Sequence, residues 1–222
     1  MEFWSKVGAI LWKDVVAEWR SKEVSTAMLV FALMSVVIFN FAFELRVESV
    51  ANVAPGVLWV AICFAGVLGL NRSLILEKDR GCLEGLMLCP VDRSAIYLGK
   101  LLGNVLFMLI TEAVVLPAFA VLFNLPLLTP SLFLVVVLGT CGFAAVGTLF
   151  AAIAVNTRSR EVMLPVLLFP VIVPLLIAAV KATESIVAPT GGAEPPWLGL
   201  LGAFAAIFLV IATLTFEYVL EE

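Results

Sequence analysis

The chain has 222 residues, 63% of them hydrophobic and 14% charged, with a net charge of −4 and a mean hydropathy of +1.16. Soluble domains average roughly 45–50% apolar and about 25% charged, so this is a polytopic membrane protein whose solvent is the bilayer, and these residues leave no room for a separate soluble catalytic domain. There is no histidine, which excludes a His-ligated metal and an imidazole base from this chain.

Residues 1–23 predict an interfacial amphipathic helix. At 3.6 residues per turn Trp4, Val7, Leu11 and Val15 share one face, with Phe3 and Ile10 beside them; Lys6, Lys13 and Arg20 share the other, and Trp12 and Trp19 sit at the edge. Asp14 and Glu18 interrupt the apolar face at its far end. The segment is either a lever on the inner leaflet or a passive anchor. It lacks the apolar run and small-residue site of a cleavable signal peptide.

Residues 24–222 form the membrane part. Apolar runs at 24–43, 53–70, 101–123, 131–155, 162–180 and 198–219 are each long enough to cross about 30 Å of hydrocarbon at about 1.5 Å per residue. Helices are the default, because backbone in lipid must satisfy its own hydrogen bonds. The expected fold is all-α, with six spans after the interfacial helix.

Between the second and third runs lies a charged loop, 72–100. It holds Arg72, Glu77, Lys78, Asp79, Arg80, Glu84, Asp92, Arg93 and Lys100. Gly81 breaks it and Pro90 ends it. Between them Leu83, Leu86, Met87 and Cys89 alternate with Glu84 and Gly85, which suits a short helix with one apolar face. Asp92 or Ser94 can cap the helix that follows. An exposed acid beside apolar anchors suits docking in a groove on a soluble partner; a solvated loop is the plainer reading.

Glu112 is the one ionisable residue well inside a run, an expensive placement that marks it as a candidate intramembrane functional residue. Asn104, Thr111 or a basic group of another subunit are its candidate partners. Gly139, Gly142, Ala145 and Gly147 allow close helix packing in the fourth run. Pro165, Pro170 and Pro174 predict a bent or broken fifth span. Trp59 and Trp197 fall in the outer part. The proline- and glycine-rich stretch within 181–197 reads as an outer cap.

Orientation follows from the basic residues. Lys6, Lys13, Arg20, Lys22, Arg72, Lys78, Arg80, Arg93, Lys100, Arg158 and Arg160 fall on one side, and only Arg46 and Lys181 on the other. The positive-inside rule then places both termini in the cytoplasm. Cys63 and Cys141 lie in spans; Cys82 and Cys89, at C-x6-C, have neither zinc nor redox spacing and read as free thiols.

The run from Ala54 to Pro90, with APGVLWVA, NRSL and GCLEGLMLCP, resembles the CcmB family, the permease subunit (haem exporter protein B) of the cytochrome c maturation ABC transporter. Leu138-Gly139-Thr140, Gly142-Phe143 and the proline pattern of 164–177 extend the resemblance over nearly the whole chain. It implies a type-2 ABC exporter-like arrangement in the inner membrane. A second copy of this chain, two cytoplasmic ATPase subunits, haem-handling membrane subunits and a haem chaperone would complete it. It further implies that the loop engages the ATPase through Glu77, Gly81, Leu83 and Glu84, with Leu86 on the apolar face. Leu74, Arg80 and Cys82 depart from the family's loop pattern.

The chain has no G-x-x-x-x-G-K-[ST], so ATP is expected at a partner. No catalytic residue, metal or cofactor is expected on the chain itself; haem is handled by the complex. Two outputs fit: haem export, or ATP-driven release of a haem-loaded chaperone. The lack of histidine and of buried polar groups favours release. The alternative reading is a generic type-2 exporter of lipid, drug or glycan. An intramembrane hydrolase is disfavoured, since neither G-x-S-x-G nor H-E-x-x-H occurs.

Overall fold

The computed structural model describes residues 2–44, 50–79, 81, 82, 85, 89, 91–125, 129–155, 157, 159–187 and 196–219; for 2, 44, 50, 51, 76, 77, 79, 160, 218 and 219 it describes the backbone alone. Among the described residues seven long helices follow one another: α1 (Glu2–Ser21), α2 (Glu23–Glu44), α3 (Val50–Asp79), α4 (Arg93–Phe123), α5 (Pro130–Val155), α6 (Arg160–Val187) and α7 (Trp197–Val219). The six from α2 onward are long and apolar enough to cross a membrane. The all-α, six-span architecture expected from the apolar runs is therefore the one observed.

The bundle has two central helices. α3 packs on α2, α4, α5 and α6, and α5 packs on α3, α4, α6 and α7. About three quarters of the span in each is buried, against less than a fifth in α2 and α7. Their composition explains this position. Association in lipid relies on close packing, which small residues permit. The indole of Trp59 on α3 lies over Gly139 of α5, where an added methyl would overlap the ring. Trp59 Nε1 also donates to Thr183 Oγ1 of α6 at 2.9 Å, so one fully buried side chain joins three helices. Gly142 meets Leu175 and Gly147 meets Leu70 in the same close manner, as the glycines of the fourth run predict.

Helix ends depart from the apolar runs. α3 continues to Asp79 and α4 begins at Arg93, so most of the expected loop 72–100 is helix. A helix already nucleated in lipid gains a hydrogen bond for each residue added, and it propagates into water while the sequence tolerates it. Gly81, at φ 67°, is where the chain turns. Asp92 stands at the N-cap of α4, but its side chain makes no capping bond; its carbonyl accepts from the amides of Ala95 and Ile96. At the other end Asn124, at φ 50°, closes α4 in the left-handed conformation that asparagine tolerates better than most residues. α6 runs unbroken through Pro165, Pro170 and Pro174, so the fifth span is not broken there.

α1 lies along α4. Val7 and Ile10 are buried against Gly99, while Trp4, Trp12 and Trp19 remain on the outside. The two acids that interrupt its apolar pattern face inward and form polar contacts. Asp14 pairs with Lys100 of α4 at 2.8 Å. Glu18 Oε1 accepts the Ser25 amide at 2.7 Å, satisfying one of the orphan donors in the first turn of α2.

Candidate functional site

The charged segment expected to face a partner has a physical property that its sequence did not reveal: it ties helix ends together. Lys78 Nζ, near the end of α3, donates to the carbonyl of Val155, the last residue of α5, at 3.0 Å. Arg93 Nη1, at the start of α4, donates to the carbonyl of Glu217 in the last turn of α7 at 3.0 Å. Both cations sit where a helix leaves carbonyls unpaired and its dipole is negative. Lys100 reaches Asp14 of α1 at 2.8 Å, and Asn71 Nδ2 donates to the carbonyl of Glu161 in α6 at 3.4 Å. Displacement of this segment therefore reaches α1, α5 and α7 through direct bonds, and Asn71 just before it adds α6.

The candidate coupling residues are placed only in part. Glu77 belongs to the last turns of α3. Gly81 is exposed at the turn, and its carbonyl accepts from the Gly85 amide at 3.2 Å, an i→i+4 bond of helical type. Cys82, Gly85 and Cys89 are exposed as well. Leu83, Glu84 and Leu86 lie outside the described residues, and with them the apolar face of the expected short helix.

Glu112 is 3% exposed. Its Oε1 accepts from Thr140 Oγ1 of α5 at 2.6 Å, and among the described residues its Oε2 has no hydrogen-bond partner. It borders a cavity of about 10 Å³ lined also by Met28, Ala32, Ile62, Ala65 and Met108. That is close to the least space that holds one water. The residues first considered as partners are engaged elsewhere: Asn104 Nδ2 donates to Thr148 Oγ1 at 2.9 Å, and Thr111 Oγ1 to its own helix at the Phe107 carbonyl. Tyr97 OH donates to the Ala145 carbonyl at 2.9 Å. Tyr97, Asn104 and Glu112 are spaced seven and eight residues apart, so they share one face of α4, and each is bonded to α5. Only Glu112 was legible as a site, by its charge; its partner is 28 residues away in sequence.

Thr140→Val is expected to cost about 1–3 kcal/mol, because it leaves the buried carboxyl without its donor. Thr140→Ser should restore most of that. Thermal unfolding in nanodiscs would check both, and a valine variant as stable as wild type would remove the structural role of the pair.

Among the described residues, an all-helical bundle with six helices long and apolar enough to span defines a multi-pass membrane protein. The CcmB protein family matches residues 5–222, and the chain belongs to that family. Among curated relatives, Heme exporter protein B of Rhodobacter capsulatus is 32% identical over 152 residues, covering 67% of this chain and 69% of the relative. That of Pseudomonas aeruginosa is 28% identical over 189 residues, 84% of each chain. That of Escherichia coli K12 is 28% identical over 196 residues, covering 79% and 80%.

Proposed function

We propose that this chain is the permease subunit of an ABC-type haem exporter complex serving cytochrome c maturation, with no catalysis of its own. The relatives' name and the family match along nearly the whole chain support the haem-export reading over a generic exporter. The observation that carries the mechanism is the set of bonds from one charged segment to α1 and to the ends of α5 and α7, with Asn71 just before it reaching the start of α6. A partner that pushes on this segment moves these helices together.

In this reading two copies of the chain sit in the inner membrane with both termini cytoplasmic. α1 lies on the inner leaflet with Trp4, Trp12 and Trp19 turned outward. A cytoplasmic ATPase docks on the segment around Glu77, Gly81, Leu83, Glu84 and Leu86 and supplies ATP hydrolysis. Haem is cargo, handled by neighbouring membrane subunits and released on a chaperone. The chain offers no histidine to hold it, which favours ATP-driven release of the loaded chaperone over passage of haem through this subunit.

Co-purification of the tagged chain with its native neighbours tests this. Wild type should bring down an ATPase and haem-handling subunits, and Glu84→Lys should lose the ATPase by tenfold or more while keeping the membrane neighbours. An ATPase without haem subunits would instead support a generic exporter. An unchanged ATPase yield in the variant would remove the coupling role of the segment.

A further inference from the structure

An open cleft of about 710 Å³ lies beside the contact between the start of α2 and the last turns of α3. Its wall is apolar: Ala27, Val30, Phe31 and Met34 of α2 face Leu68 of α3. Val30, Phe31 and Met34 are exposed although they lie within a span. Its rim is polar and carries Lys22 and Arg72 against a single acid, Glu23. Cation and apolar wall thus sit one above the other along the same helix. From Lys22 to Met34 the cleft runs about 18 Å at about 1.5 Å per residue, roughly one leaflet with its headgroup layer. A spanning helix of a partner would require nearly twice that length.

Lys22 adds a second, independent observation. It links α1 to α2 at φ 55°, a left-handed conformation that costs a residue with a Cβ and costs glycine nothing. It is the cap that closes α1, the Lys22 amide donating to the Glu18 carbonyl at 2.7 Å, and lysine stands where glycine is the usual residue. Two of the nearby amides are engaged: Ser25 donates to Glu18 Oε1 and Thr26 to the Lys22 carbonyl. The charged groups at the rim are the side chains of Lys22, Arg72 and Glu23. Arg72 spends one nitrogen on the Glu23 carbonyl at 3.3 Å, which fixes the guanidinium beside Lys22 with further N–H groups to offer.

We propose that this cleft binds one anionic phospholipid, of the phosphatidylglycerol type, with its phosphate between Lys22 and Arg72 and an acyl chain along Val30, Phe31 and Met34. The excess of cations over acids at the rim selects a headgroup of net negative charge, and basic pockets between helices at a membrane surface recognise such lipids. The site lies at the joint between α1 and the first span, so the lipid would hold α1 against the bundle. The proposal stands whichever cargo the complex handles.

Nanodiscs holding the full chain, with whatever partners co-purify, provide the test. They would be made with phosphatidylcholine alone, or with about one third phosphatidylglycerol or phosphatidylethanolamine. Thermal unfolding would be read for wild type, Lys22→Gly and Arg72→Gln, and bound lipid counted by native mass spectrometry. Phosphatidylglycerol should raise the wild-type Tm by about 2–4 °C with one lipid retained, and should raise neither variant. In phosphatidylcholine alone Lys22→Gly should melt no lower than wild type, because glycine relaxes the left-handed joint; a failure of that variant to fold would overturn the strain argument and the site with it. Equal shifts in all three proteins, or an equal shift with phosphatidylethanolamine, would overturn the proposal. So would a change in copy number per disc on removing the cations without any lipid dependence, which would give the cleft to a second copy of the chain.

Discussion

Lys100→Met should loosen α1 from the bundle. The Lys100 side chain is 2% exposed and its partner Asp14 9%, and removing one member of a buried ion pair costs about 3–5 kcal/mol. The low end, about 3 kcal/mol, is expected here, because Lys13 Nζ still reaches Asp14 Oδ1 at 3.0 Å. The reading would be a lower Tm in detergent together with faster proteolysis within residues 1–21. A second substitution makes the assignment specific. Asp14→Leu added to Lys100→Met removes the stranded carboxylate and should recover much of the loss, the non-additivity that groups in direct contact show. If the double variant is no better than Lys100→Met alone, the pair is not what holds α1.

Trp59→Ala carries the other large effect. Burial in a soluble core would make the loss about 3–5 kcal/mol. In lipid the transfer contribution largely vanishes, since the unfolded spans are also in hydrocarbon, and the cavity and the lost bond to Thr183 remain. The expected cost is therefore near the bottom of that range, about 3 kcal/mol, read as loss of monodisperse protein on heating in detergent. Gly139→Ala should be damaging alone through overlap with the indole and far milder when Trp59 is replaced by leucine. Equal damage in both backgrounds would show that Gly139 does not serve the Trp59 contact.

The spans were legible because a run of apolar side chains can have few other meanings at this length. Their ends were less so. The apolar run stops at Leu70, but backbone hydrogen bonding does not, and α3 continues for nine residues to Asp79. Charge was the harder signal. Lys100 looks like solvated loop in sequence, since nothing local says that α1 folds back on α4; Asp14, 86 residues earlier, decides it. Asp14 and Glu18 looked like defects in an amphipathic pattern and are its polar contacts. Glu112 stood out because a carboxyl in a span is costly, while Thr140 gave no warning, a threonine in a helix usually bonding its own backbone.

The three bonds from α4 to α5, through Tyr97, Asn104 and Glu112, also constrain how the bundle can move. They are spread over 15 residues of α4, about 22 Å along its axis. A slide of one helical turn, about 5.4 Å, would break all three at once, and Asn104 and Glu112 would then face Val136, Ala144 or Ala152 in place of their threonines. These two helices thus behave as a single pawl-less rod, locked in one register. Any large rearrangement of the bundle would have to tilt that rod as a whole or move the peripheral α2 and α7 around it.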